Sequence, residues 1–281
     1  MQNDKINFSL IIPIGLMLFS FFFGAGNLIF PPVLGQMAGD NIGWGMLGFC
    51  LSGVGFPLLG VLAMAMKQSD NPDSIAMPMH PLYARAVTIL CALAIGPLFA
   101  IPRTAAVSFD TGIHSLLPAS CEAIGLPVYT VFFFVLTYFF SINPSKIIGH
   151  IGKFLSPMLL ICLAVLVVCV FVNPTGSLKM PNPDFATSPF FRGFQEGYNT
   201  MDLLAAILFG SITIKAIEAQ GITDKKVLTK LCSYAGLIAA FFLAIIYAAL
   251  AYTGALSINV FGVIPNGATL LSKICTYYMG F

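Results

Sequence analysis

The sequence predicts an all-α integral membrane protein in which the first and sixth membrane spans are broken. Three observations point there: 58% of the 281 residues are apolar, only 9% are charged, and two long apolar runs contain glycine and polar residues. A soluble domain carries about 25% charged residues. The apolar runs are also much longer than the ~10-residue alternating segments of a membrane β-barrel, which favours helices.

Seven segments are apolar and long enough to cross a bilayer, which takes about 20 helical residues. We interpret residues 1–281 as a single transmembrane domain built from them. The broken segments are the first and the sixth, a placement typical of folds in which five-span halves repeat with inverted topology. The predicted spans are 9–37, 41–66, 82–117, 126–142, 149–172, 189–219 and 227–255.

Lysine and arginine predict the orientation, because they favour the cytoplasmic side of membrane proteins. If the N-terminus lies inside and the spans alternate, nine of the 13 basic residues fall on or near the cytoplasmic side. We therefore expect a multi-pass protein of the cell (inner) membrane with a cytoplasmic N-terminus. The nine are Lys5, Lys67, Arg85, Lys146, Lys153, Lys215, Lys225, Lys226 and Lys230, against Lys179, Arg192 and Lys273 outside.

Charge and cysteine content exclude several other classes of protein. The net charge of +2 comes from scattered basic residues and gives no basic patch for nucleic acid. The 7 cysteines contain no C-x-x-C pair, and we read them as small apolar side chains. Because no nucleophile–base or metal-ligand constellation occurs, we expect neither an enzyme nor a bound cofactor.

The first span is interrupted between Gly24 and Asn27 and then meets Pro31 and Pro32. Glycine weakens a helix by about 1 kcal/mol relative to alanine, and the prolines leave backbone carbonyls without a donor. Irregular backbone at membrane depth survives only where protein, ions or a ligand satisfy it. The break can therefore offer N–H groups to a carboxylate and carbonyls to a cation. The alternative is a proline kink that only helps packing.

The sixth span is interrupted between Gly197 and Asp202. Asp202 follows Pro189 by about 20 Å of helix, which places this carboxylate near the middle of the membrane. A carboxylate at that depth is costly and is usually functional or paired. Asp202 could also cap the half-helix that follows, and a capped half-helix still forms a wall of a cavity.

Arg103 lies near the middle of the third predicted span, too deep to reach the membrane surface easily. Such a charge is expected to face a partner or water. We hypothesise that Arg103 pairs with Asp202 as an internal ion pair or gate. Together with Thr104 and Ser108, it is expected to line or gate the site.

Three glycines, Gly35, Gly39 and Gly43, follow one another at intervals of four residues. This small-residue pattern allows two helix backbones to approach closely in a membrane. We expect it to pack the first two spans against each other rather than to bind a ligand.

Several motifs resemble those of the bacterial branched-chain amino acid:cation symporters, from about residue 8 to the end of the sequence. The resemblance is carried by Phe23-Gly24-Ala25-Gly26-Asn27-Leu28-Ile29-Phe30-Pro31-Pro32, Gly96-Pro97-Leu98-Phe99-Ala100-Ile101-Pro102-Arg103-Thr104-Ala105, Val107-Ser108-Phe109, Gly197-Tyr198, Thr200-Met201-Asp202 and Asn266-Gly267-Ala268.

The resemblance implies a member of the amino acid–polyamine–organocation superfamily with the leucine-transporter type of inverted-repeat helical bundle. It also implies symport of leucine, isoleucine or valine with sodium or a proton, and lipid as the surroundings. By position, the family's substrate site falls on Gly24, Ala25, Gly26, Asn27, Tyr198, Asn199, Thr200 and Asp202.

Sodium is the favoured coupling ion, near Ala25 and Asn27, because the first break offers neutral oxygens and has no titratable acid. Proton coupling would instead require Asp202 or Asp110 to titrate. The family usually has more spans than the seven predicted here. A truncated fragment that does not transport, or one part of a split transporter, is therefore the alternative to a complete symporter.

Overall fold

A computed structural model of the chain describes residues 8–114, 117–118, 122–142, 156–222 and 224–280. All regular secondary structure in those ranges is helical, which confirms the all-α prediction. The helices are α1 (Phe8–Phe22), α2 (Ala25–Ala38), α3 (Ile42–Cys50), α4 (Phe56–Lys67), α5 (Pro81–Leu93), α6 (Ala100–Gly112), α7 (Glu122–Ser141), α8 (Ser156–Val172), α9 (Pro183–Thr187), α10 (Pro189–Tyr198), α11 (Asp202–Glu218), α12 (Lys225–Phe261) and α13 (Gly267–Met279).

Several helical runs are long and apolar enough to cross a membrane, so the protein is a multi-pass membrane protein. The pair α10 and α11 passes the same test as one span, bent by 46°. Shorter apolar helices cover Leu10–Phe22 and Pro157–Val172. Among the described residues, the long runs are Ala25–Lys67, Pro81–Gly112, Ile124–Ser141 and Lys225–Phe261.

Parts of the predicted spans fall outside the described residues. These are positions 115–116 of the third span and 149–155 of the fifth. Lys5, Lys146 and Lys153, which were used to predict the orientation, also lie outside them.

The run from Ala25 to Lys67 is not one uniform helix. A 3-10 turn at Gly39–Asn41 separates α2 from α3, and Gly39 has a φ of 48°, which side chains other than hydrogen strongly disfavour. The turn coincides with the predicted boundary between the first two spans. A π-helical segment, Leu51–Gly55, then joins α3 to α4.

The predicted role of the four-residue glycine pattern is wrong. Gly35 faces α12, where a Cβ would overlap the carbonyl oxygen of Ala251, and Gly39 faces the backbone of Lys179. A Cβ at Gly43 would have no neighbour within 4 Å. The pattern does not join the first two spans, because its three positions face different surroundings.

The long helix α12 supports α2 through direct backbone contact. A Cβ at Gly254 would overlap the carbonyl oxygen of Pro32, and Gly35 meets Ala251 one turn away. Contacts between small residues of this kind stabilise helix pairs in a membrane, where lipid provides no hydrophobic driving force. This contact fixes the second half of the first broken span.

A second glycine contact joins α3 to α10. A Cβ at Gly48 would overlap the carbonyl oxygen of Phe190, and one at Gly193 would overlap that of Gly45. The hydroxyl of Ser52 donates a hydrogen bond of 2.6 Å to the carbonyl of Phe194. The first half of the sixth span is thereby held against the second span up to its break.

The third predicted span is interrupted as well, although the sequence analysis treated it as continuous. Helix α5 ends at Leu93, a π-helical segment follows at Ala94–Leu98, and α6 begins at Ala100. Gly96 has a non-helical ψ of −117°, and Pro97 has no N–H to donate. The interruption lies on the N-terminal side of Arg103.

Two substitutions in α3 test the contact with α10. Gly48→Ala places a methyl group on the Phe190 carbonyl, and overpacking of this kind costs about 1–3 kcal/mol of folding free energy. Gly43→Ala in the same helix meets open space and is expected to be neutral or slightly stabilising. Thermal unfolding of the purified protein in detergent measures both. Equal unfolding temperatures for the two variants would contradict the contact.

Candidate functional site

The first break is short and has its own hydrogen bond. Gly24 is extended, with φ −115° and ψ −169°, between the end of α1 and the start of α2. Its N–H donates a hydrogen bond of 3.0 Å to the side-chain oxygen of Asn27. The first N–H groups of any helix lack intrahelical acceptors, so the start of α2 presents donors and the positive end of a helix dipole.

The second break turns on a residue in a left-handed conformation. Met201 has φ 68° and ψ 11° between α10 and α11, a region that costs a side chain about 1–2 kcal/mol. The hydroxyl of Thr200 donates a hydrogen bond of 2.8 Å to the carbonyl of Gly197, which closes the end of α10. Asp202 is the first residue of α11, and Met201 occupies the N-cap position. The interpretation of Asp202 as the cap is therefore wrong, and its carboxylate accepts hydrogen bonds from Asn27 and Tyr247 instead.

A buried hydrogen-bond cluster joins the two breaks. The side-chain amide of Asn27 donates a bond of 2.6 Å to Asp202 Oδ2 and another to the hydroxyl of Tyr247. That hydroxyl lies 3.4 Å from the same carboxylate oxygen, to which it donates. Asn27 is 1% exposed, Asp202 5% and Tyr247 0%. A polar cluster this deeply buried is costly unless its members satisfy one another, as these do.

Arg103 bonds with the backbone of the second break rather than with the carboxylate. Its guanidinium donates bonds of 2.9 Å to the carbonyl of Asn199 and 3.2 Å to that of Thr200. The predicted contact with Asp202 is therefore replaced by an indirect one through the two residues before it. The guanidinium carbon also lies 5.4 Å from the ring centroid of Phe30 in α2, so Arg103 touches both broken spans.

The two breaks line a cavity of about 80 Å³. This volume suits a few water molecules or the polar group of a small ligand. Apolar walls come from α1, the third span and α11 through Phe22, Ile95 and Phe209. The predicted site residues that line the cavity are Gly24, Ala25, Gly26, Asn27, Arg103, Thr104, Thr200 and Asp202.

Three other predicted site residues do not place their side chains in the cavity. Tyr198 is 49% exposed at the end of α10. The exposed side chain of Asn199 bonds with Glu196, so only its backbone carbonyl serves the site. Ser108 accepts a hydrogen bond of 3.0 Å from Tyr129 in α7 and faces that helix.

Tyr247 is the residue of the cluster that the sequence analysis missed. It lies within an apolar run of α12, and its ring packs against Phe23 and Phe49. A hydroxyl at the centre of a predicted span was the available signal, since a buried tyrosine O–H usually finds a partner. Nothing in the local sequence indicated that the partners would lie in the two breaks.

Two interrupted spans that meet at a buried polar cluster, in an all-helical membrane protein, define the class of membrane transporters. The family model described as branched-chain amino acid transport protein matches residues 8–281, and the chain belongs to that family. No solved structure matches the chain.

Relatives in several bacteria support the same family. The chain is 45% identical to the branched-chain amino acid permease BrnQ of Bacillus subtilis (strain 168), over 99% of the chain and 63% of that protein. It is 43% identical to the permease BraB of the same strain, over 96% of the chain and 60% of that protein. For BrnQ of Escherichia coli (strain K12) the identity is 37%, over 96% and 61%.

The chain therefore spans about 60–63% of the length of these curated relatives. These relatives are permeases rather than enzymes, in agreement with the prediction from the sequence.

Removing the hydroxyl of Tyr247 tests the cluster. Tyr247→Phe leaves the Asn27 amide and the Asp202 carboxylate with one bond fewer, which is expected to cost about 1–3 kcal/mol of folding free energy. Tyr252→Phe is the matched control, because Tyr252 lies in the same helix and stacks on Phe171 at 5.1 Å. Thermal unfolding in detergent measures the stability of both variants. Equal unfolding temperatures would show that the hydroxyl of Tyr247 adds no stability.

Proposed function

We propose that the chain is a secondary transporter that imports leucine, isoleucine or valine together with a cation. The observation that carries this proposal is the buried hydrogen bond from Asn27 to Asp202, which joins two interrupted spans beside the cavity that they line. Interrupted helices in transporters expose N–H and carbonyl groups to substrate and coupling ion at this depth.

The residues that line the cavity support an amino acid with an apolar side chain as the substrate. Its polar wall combines the N-terminus of α2 with Arg103, Thr200 and Asp202, which suits a zwitterionic head group. Phe22 and Phe209 offer apolar surface next to it. The relatives are named as branched-chain amino acid permeases, which supports this choice of side chain.

Sodium remains the favoured coupling ion, with its site near Ala25 and Asn27. Neutral backbone and side-chain oxygens suit a hard cation. The Asp202 carboxylate also lines the cavity and adds a negative charge there. A proton carried by Asp202 is the competing choice, since this carboxylate lies in the hydrogen-bond cluster between the breaks.

The proposed fold is the leucine-transporter type, with a cytoplasmic N-terminus in the cell (inner) membrane. Alternating access would then occur as a bundle that contains the broken spans rocks against the remaining helices. The short halves α2 and α10 are held to α12 and α3 by glycine contacts, so each half would move together with its supporting helix.

A substrate-binding part that does not transport alone is the second candidate. It is favoured by the fact that the chain spans about 60–63% of its relatives. Binding and flux separate the two, because only a complete transporter moves leucine across a membrane against its gradient.

Uptake into proteoliposomes tests transport and coupling. We expect the chain to accumulate labelled leucine when an inward sodium gradient is imposed, and not with a pH gradient alone. Accumulation driven only by the pH gradient would contradict sodium coupling. Leucine binding without accumulation under either gradient would favour the second candidate.

Asn27→Ala tests the site itself. It removes the amide that joins the breaks, and we expect leucine binding to weaken at least about tenfold, which corresponds to ~1.4 kcal/mol. Asn259→Ala is the matched control, because its amide bonds with backbone carbonyls at the far end of α12. Scintillation proximity binding to the purified protein measures both, and equal affinities would contradict the assignment.

A further inference from the structure

The positive charge of Arg103 is only partly matched by its partners. Its two hydrogen bonds reach the neutral carbonyls of Asn199 and Thr200, and its third contact is the face of Phe30. Its Nε is buried and has no hydrogen-bond partner among the described residues. None of these partners is a carboxylate, although arginine binds a carboxylate more strongly than a neutral oxygen.

Arg103 also lies against the start of α2. A Cβ at Gly26 would come within 2.9 Å of Arg103 Nη2, so glycine lets the guanidinium reach the backbone of the first break. Helix N-termini carry about half a positive charge. Two independent sources of positive charge therefore meet on one wall of the cavity.

The cavity also contains a negative group. Asp202 lines it, and its carboxylate bonds with Asn27 and Tyr247 rather than with Arg103. An amino acid with its carboxylate toward Arg103 and its ammonium group toward Asp202 would match both charges. The reverse orientation would place like charges together.

We propose that Arg103 binds the carboxylate of the transported amino acid and gives up its bonds to Asn199 and Thr200 when it does so. A carboxylate offers two charged oxygens to the fork of the guanidinium and so competes well with two neutral carbonyls. Release of those carbonyls would free the end of α10, which couples occupancy of the site to movement of the second break. This inference rests on the function proposed above.

The test compares leucine with leucinol, which keeps the side chain and the amine but has a hydroxyl in place of the carboxylate. Arg103→Gln is expected to weaken leucine binding by about ten- to a hundredfold and to change leucinol binding little. Arg103→Lys keeps the positive charge but loses the two-pronged geometry of the guanidinium. Its preference for leucine over leucinol should therefore lie between those of the unmodified protein and Arg103→Gln. Scintillation proximity binding of labelled leucine, with leucinol as the competitor, gives each ratio.

Arg192→Gln is the matched control for the loss of an arginine. Arg192 lies in α10, its side chain is 45% exposed, and it pairs with Asp184 at 3.2 Å. The ratio of leucine to leucinol affinity should be the same as in the unmodified protein. Thermal unfolding of each variant in detergent shows whether it is folded, and Arg103→Lys provides the measurement if Arg103→Gln does not fold.

An equal loss of affinity for leucine and leucinol in the folded Arg103 variants would overturn the proposal and leave Arg103 as a structural tie. Leucine and leucinol affinities that are both the same as in the unmodified protein would overturn it as well. If the unmodified protein binds neither ligand, the proposed function fails together with this inference, and that result is distinct from the other two.

Discussion

The arrangement of the site depends on the hydrogen bond from Asn27 to Asp202, which connects two gaps in helical structure that are far apart in sequence. In a membrane interior no water competes for these groups, and an unmatched amide or carboxylate there costs several kcal/mol. Asn27 also accepts from the N–H of Gly24, so one side chain both caps its own half-helix and holds the opposite break. Tyr247 completes the cluster from a third helix and is itself fully buried.

That bond could not form unless each half-helix were held at the correct height. The glycine contacts do this: Gly35 and Gly254 set α2 on α12, and Gly48 and Gly193 set α10 on α3. Because these contacts bring backbones together, they leave little freedom for sliding. The third interruption, at Gly96, separates α5 from the helix that carries Arg103.

Much of this architecture could be predicted from local signals in the sequence. The helical class and both breaks follow from apolar length and from glycine, proline and charge within it. Partner choice could not be predicted in the same way, because it depends on how distant helices pack. For that reason Arg103 was assigned to the carboxylate of Asp202 instead of the carbonyls before it, and Tyr247 was missed. The glycine pattern misled for the same reason, since spacing alone does not identify the opposing helix.

The left-handed backbone at Met201 places conformational strain in the second break. A methionine at φ 68° is more strained than glycine would be in this conformation. The bent form therefore persists only while the surrounding bonds outweigh that strain. Glycine at this position would adopt the same φ without that strain. Such backbone strain lowers the free-energy difference between the bent form and a straighter one. The bent form is therefore easier to leave when the bonds that hold it are broken.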